Sequence, residues 1–245
     1  MKTISKLLAL GALISSVNVQ AGIINESEVV KTKKGEVRIT FLGHASLLIQ
    51  HEGKNIYIDP SSAYKKKDLP ELPKADLIAI THEHFDHWDR KEIEQLSKES
   101  TAIIATESCG KIEGATIMKN GDKKSILGID IEAVPAYNLV HKNPSGNFYH
   151  PKGIGNGYIL TIDGTRFYVA GDTENIPEMK LLKNIDVAFL PYNLPYTMDT
   201  PMFVNAASMV NAKVIYPYHF IDSNLEVLKE ALKQQQSEIR IRKVY

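Results

Sequence analysis

The sequence predicts a layered α/β protein in which sheet packs on sheet. Three observations carry this prediction. Short runs of strand type recur from residue 36 to residue 216, hairpin-turn signals join two pairs of them, and segments with helical spacing are fewer and lie between them. The chain of 245 residues, 43% hydrophobic and 24% charged, is long enough to bury a sizeable core. One large domain over residues 22–245 is expected.

Residues 36–42 alternate polar and apolar side chains, as a strand with one buried face does. Residues 46–50 and 55–58 flank His51-Glu52-Gly53-Lys54, which reads as a hairpin turn, so His51 is expected to be exposed. Residues 77–80 form a short apolar strand that ends at Thr81. Residues 102–105 and 129–136 are further strands. Residues 158–162 and 166–170 flank Asp163-Gly164-Thr165, a second hairpin signal. Short buried strands follow at 187–190 and 214–216. Helical spacing occurs at 90–97, 176–182, 202–210 and 225–235, the last capped from Asp222-Ser223-Asn224. Periodicity alone does not select the topology.

The amino terminus reads as an address. Lys2 and Lys6 precede a short apolar run from Leu7 to Ile14, and Val19-Gln20-Ala21 resembles a signal-peptidase site. The run is much shorter than the roughly 20 residues a bilayer-spanning helix needs. Export to the periplasm or the medium, with cleavage after Ala21 and no stable membrane anchor, is the expectation. The 29 basic and 29 acidic residues balance, which argues against a nucleic-acid partner. The only cysteine, Cys109, excludes an internal disulfide and a Cys-rich structural metal site. Lys65-Lys66-Lys67 reads as a solvated loop.

The chemistry concentrates in Thr81-His82-Glu83-His84-Phe85-Asp86-His87-Trp88-Asp89, where three of the eight histidines fall within six residues. The cluster follows directly on an apolar strand, which delivers its last residues to a sheet edge. Alternation puts His82 and His84 on one side, and a turn at Phe85 brings Asp86 and His87 round toward them. Imidazole and carboxylate together suit zinc, iron or manganese. H-E-x-x-H does not occur.

His82-x-His84-x-Asp86-His87 resembles the H-x-H-x-D-H signature of the metallo-β-lactamase fold. Phe41-Leu42-Gly43-His44-Ala45-Ser46, Val169-Ala170-Gly171-Asp172-Thr173, Pro191-Tyr192 with Tyr196-Thr197-Met198-Asp199, and Tyr216-Pro217-Tyr218-His219 resemble further motifs of that superfamily in the same order. They look like its metal-dependent hydrolase group, with ascorbate-6-phosphate lactonase-like and phospholipase D-like members. The resemblance implies a four-layer αββα sandwich with a dinuclear site along one edge. It implies that His82 and His84 bind a first metal, that Asp86, His87 and His219 bind a second, and that Asp172 bridges them. Zinc is expected, with manganese or iron as alternatives. Two metals can hold a hydroxide between them, and Asp86 could orient it or shuttle its proton.

One position departs from the pattern. The family usually supplies a third histidine to the first metal from the loop after a middle strand, where this chain has Asn138. His150 is favoured as the replacement ligand or a pocket residue, and His141 is the weaker alternative. His44, Asn138 and Tyr196 are expected at the substrate pocket, and Tyr137, Lys152 and Tyr192 near its mouth. The implied function is hydrolysis of a small ester, lactone or phosphodiester. An exported metal- or ligand-binding protein with a degenerate site is the alternative. Neutral charge counts against a nuclease, and the Gly-His-Ala-Ser and Tyr-Thr-Met-Asp elements count against a true β-lactamase.

Overall fold

The structure is a computed structural model that describes residues 27–64, 71–221 and 223–242. The expected export signal, the Lys65–Lys67 run and Asp222 lie outside the described residues.

Two seven-stranded mixed sheets face each other. The first contains β1 (Ser27–Lys31), β2 (Glu36–Gly43), β3 (Ser46–His51), β4 (Lys54–Ile58), β5 (Leu77–Ala79), β6 (Ala102–Ala105) and β7 (Thr116–Ile117), side by side in chain order. The second contains β8 (Lys123–Ile126), β9 (Ile129–Ala136), β10 (Gly155–Ile162), β11 (Thr165–Val169), β12 (Val187–Pro191), β13 (Val214–Tyr218) and β14 (Glu238–Ile239), again in order. Each half opens with antiparallel hairpins and continues in parallel strands. Glu52-Gly53 and Asp163-Gly164 form the two expected hairpin turns, with positive φ at both central residues of each.

Between the sheets lies the main core, to which alternate residues contribute. Ile39, Phe41, Leu47, Ile49, Ile56 and Ile58 from one sheet meet Ile131, Tyr158, Leu160, Phe167, Val169 and Phe189 from the other. Alternation turns Leu42 to the outer face, where it joins Leu48, Tyr57 and Ile78 beneath α1 (Arg90–Leu96). The outer face of the second sheet is covered by α2 (Thr200–Val210) and α3 (Leu225–Ala231), through Phe203, Ala206, Val210 and Leu228. The four layers are those of the αββα sandwich. Asp89, Asp199 and Asn224 cap the three helices, each accepting from backbone amides of the first turn.

Three expectations are corrected. Residues 176–182 hold a 3-10 turn at Pro177–Leu181 instead of an α-helix, since a five-residue element led by proline closes too few turns for α geometry. The last helix ends at Ala231, short of residue 235. His51 is buried, because its Nδ1 lies 3.1 Å from the Glu36 carbonyl and its Nε2 3.1 Å from Asp163 on the facing sheet's hairpin.

Strand direction fixes where the site is built. β2, β4 and β5 run the same way, as do β9, β11, β12 and β13. The loops that leave their ends line one edge of the sandwich. Such strand ends are where α/β sheets place ligands.

Candidate metal centre

That edge collects His44 after β2, Asp59 after β4, His82 to His87 after β5, Asn138 after β9, Asp172 after β11 and His219 after β13. His150 reaches it from the segment before β10. His44, Asp59 and His219 all hold φ near +50°, a left-handed conformation that non-glycine residues rarely adopt. Backbone of that kind concentrates at functional sites, where the surroundings hold it in place.

The side chains form two groups that share one carboxylate. In the first, His82, His84, His150 and Asp172 bring their ligand atoms within 4.8 Å of one another. His150 Nε2 lies 3.2 Å from His84 Nδ1 and 3.2 Å from Asp172 Oδ2. In the second, His87 Nε2 lies 3.1 Å from His219 Nε2 and 3.4 Å from Asp172 Oδ1, and His219 Nε2 is 3.1 Å from Asp172 Oδ2. Asp86 Oδ2 approaches the same two nitrogens at 3.8 and 3.6 Å and lies 3.2 Å from His44 Nε2.

A second layer aims these rings. Asp59, fully buried, accepts from Thr81 N and Thr81 Oγ1 at 2.7 Å each and lies 2.8 Å from His87 Nδ1. The far-side proton of His87 is thereby fixed on Nδ1, and Nε2 is left facing the cluster. Thr81 Oγ1 does the same for His82 Nδ1 at 3.0 Å. Asn138 Oδ1 accepts from His150 Nδ1 at 2.7 Å and from its backbone amide at 2.8 Å. Asn138 is held in turn by Glu174, a fully buried carboxylate. Glu174 accepts from the Asn138 amide, from the backbone amides of Leu139, Val140 and His141, and from His141 Nδ1, at 2.7–2.9 Å.

Burial holds His82 and His84 below the usual imidazole range. It brings His44 down to about 4, with His219 adding to the shift. His87 and His219 move the other way. Burial, the largest single effect, opposes their protonation, but Asp172 together with Asp59 at His87, and with Asp86 at His219, outweighs it. Burial would raise Asp86 and Asp172, yet the surrounding histidines keep both well below the usual carboxylate range. Two ionised carboxylates among imidazoles make a cavity receptive to cations.

The donor set fits metal ions. Two ligands of one tetrahedral zinc, each about 2.0–2.1 Å from it, stand about 3.3 Å apart. The nitrogen–nitrogen separations of 3.2 Å in the first group and 3.1 Å in the second lie close to this value. His82 Nε2 and Asp172 Oδ1 are buried and find no hydrogen-bond partner. Such orphaned atoms cost about 1–3 kcal/mol each, and a cation relieves that cost.

The structure thus brings together His82, His84, Asp86, His87, His150, Asp172, His219 and His44. Tyr196 stands in the wall of the adjoining cavity. His141 is drawn away by Glu174. Asn138 lies behind the pocket instead of lining it, because its amide is fully used by Glu174, His150 and the Tyr196 carbonyl. Tyr137 and Lys152 do not reach the mouth. Tyr137 packs in the core beneath α2, and both side chains are tied to Glu178. Sequence reasoning missed Asp59 and Glu174. Their signal is position: each acid follows a strand end on the site's edge, one directly before Pro60 and the other two residues after Asp172. A separate cavity of about 660 Å³ on the outer face of the second sheet holds none of these residues.

Known proteins match the chain in sequence and in fold. Residues 38–219 match the family profile described as the beta-lactamase superfamily domain. A metal-dependent hydrolase of Ligilactobacillus salivarius is 35% identical over 198 residues, covering 75% of this chain and 85% of that protein. The crystal structure of a protein assigned as a metal-dependent hydrolase from Parabacteroides distasonis superposes with a TM-score of 0.83 at 46% identity, covering 91% of this chain and all of that one. A metallo hydrolase of Ignicoccus hospitalis shares the fold, with a TM-score of 0.68 at 23% identity over 85% of this chain and 95% of its own. The chain belongs to the β-lactamase superfamily, as a metal-dependent hydrolase of the metallo-β-lactamase fold.

Proposed function

We propose that the chain is a dinuclear hydrolase of small esters, lactones or phosphodiesters, and that zinc is its metal. The observation that carries this reading is the sharing of Asp172 by two ligand groups. His82, His84, His150 and Asp172 would hold one cation, and His87, His219, Asp86 and Asp172 the other. His150 supplies the nitrogen that Asn138 cannot, which favours zinc over a harder ion and removes the motive for a degenerate, non-catalytic site.

When bound, such cations polarise a substrate carbonyl or phosphoryl oxygen and acidify water. The chain's own groups do the rest. Asp86, with a partly exposed carboxylate at the cavity floor, accepts a proton at Oδ2 and lies 3.2 Å from His44 Nε2, its partner for relaying that proton. Asp59, Thr81 and Asn138 keep the ligand rings in the productive tautomer. Tyr64, Phe85, Tyr149 and Tyr196 wall the cavity and exclude bulk water from the reacting bond.

The test is hydrolysis by chelator-treated protein reloaded with zinc, manganese or iron, against lactones, carboxylic esters and phosphodiesters. Turnover restored by zinc, and lost in Asp172→Ala with the fold retained, supports the reading. Equal turnover by the chelated protein overturns it. The same reading takes residues 1–21 as an export signal. A mature amino terminus at Gly22 supports that, and an intact Met1 in the cell envelope or medium overturns it.

A further inference from the structure

The metal centre opens into a cavity of about 280 Å³, and a second cavity of about 530 Å³ adjoins it. Tyr64, Asn193, Tyr196 and Ile221 belong to the walls of both. The two therefore form one site with a waist made largely of two tyrosines. Four of the large exposed hydrophobic side chains, Tyr64, Phe85, Leu194 and Tyr196, stand in these walls. Apolar surface left open to solvent in this amount marks a place where something apolar binds.

Among the described residues, neither cavity is lined by a lysine or an arginine. Among the described residues, the one acid of the second cavity is Asp199, which is occupied in capping α2. The remaining polar groups there are neutral, among them the Tyr192 and Thr200 hydroxyls, which bond each other at 2.8 Å.

We infer that the second cavity is a binding site for the bulky, apolar part of a two-part substrate, an ester or lactone whose reacting carbonyl sits at the histidine cluster. This rests on the hydrolase reading and narrows it to substrates that carry such an apolar part. Hydrolysis adds the oxygen of water to the acyl carbon and breaks the bond to the alkoxy oxygen. The alcohol leaves with one proton, and the acid departs as its carboxylate and a second proton.

The experiment compares 4-nitrophenyl acetate, 4-nitrophenyl hexanoate and the mono-4-nitrophenyl ester of adipic acid, whose tail ends in a carboxylate. The wild-type, zinc-loaded enzyme should prefer the hexanoate over the acidic ester by tenfold or more in kcat/KM. Leu194→Trp and Ser223→Phe enlarge two residues that line the second cavity and should each lower kcat/KM for the hexanoate about tenfold. They should leave acetate turnover and metal content within twofold. Parallel loss for both neutral esters, no loss for either, or preference for the acidic ester overturns the inference. Binding of 2-naphthol, read by calorimetry, separates the two readings. If no ester is turned over but 2-naphthol binds wild type and not Leu194→Trp, the hydrolase reading fails and the cavity assignment survives. If 2-naphthol binds neither or both, the cavity assignment falls.

Discussion

Replacing Glu174 with Gln keeps the side chain's shape and removes one of its two acceptor oxygens. Oε1 serves Asn138, the His141 amide and His141 Nδ1, while Oε2 serves the amides of Leu139 and Val140. In the better of its two orientations the glutamine keeps the first three contacts and sets an NH2 group against two amide donors. Hydrogen bonds to a charged group contribute about 1.5–3 kcal/mol each. Two are lost, and the amides of the exposed residues Leu139 and Val140 recover part of the loss from water, so the expected destabilisation is about 2–4 kcal/mol. Urea denaturation of the metal-stripped protein measures it. The effect should reach the centre as well. With the Leu139 and Val140 amides released, the chain beside Asn138 is held less firmly against His150 Nδ1, and metal affinity at the His82–His84–His150 position should fall about 10- to 100-fold. The position built on His87 and His219 should change little. Unchanged denaturation together with two equally tight metals in Glu174→Gln would show that this carboxylate does not support the centre.

Other outcomes follow from the same geometry. Asp59→Ala strips the buried partner from Thr81 and His87 Nδ1; stability should drop by about 3–5 kcal/mol and metal binding at the His87 position by 10- to 100-fold, checked by melting and metal titration. Gly171→Ala places a Cβ 2.8 Å from the Asn156 carbonyl at φ +66°. It should cost about 1–3 kcal/mol and move Asp172, with melting temperature and metal content falling together. Glu28 joins the edge strand β1 to Arg240 and Arg242 beyond β14, and although burial opposes ionisation, these guanidiniums hold its pKa below 4.5. A depressed carboxylate contributes stability that is full above the unfolded value and is lost as pH falls through the folded one. Glu28→Gln should therefore lower stability by about 1 kcal/mol at pH 7, and its difference from wild type should shrink as pH falls through the folded value, read from melting curves across acid pH.

Much of the fold was legible because buried strands announce themselves. β5 and β12 are short, wholly apolar runs, and the turns after β3 and β10 carry glycine at the position that needs positive φ. The elements that escaped carry no such pattern. β1 and β8 are exposed edge strands rich in charge, and β7 and β14 have two residues each. The histidine cluster was legible because four of its groups are almost contiguous. The support behind it was not. Asp59 meets His87 across 28 residues of chain, and Glu174 meets Asn138 across 36, through side-chain geometry that no local spacing encodes. Asn138 illustrates the difference. Its position at the end of β9 placed it at the site, but only the folded chain reveals that its amide turns toward Glu174 and His150 and away from the cavity.

On the proposed function, two cations are held around Asp172. Crystals of the purified protein, measured at the absorption edge of the metal found by elemental analysis, test it directly. The account predicts two anomalous peaks about 3.5–4 Å apart, one among His82, His84 and His150 and the other among Asp86, His87 and His219, with Asp172 reaching both. A single peak, or peaks that leave His150 or His219 unengaged, would contradict it.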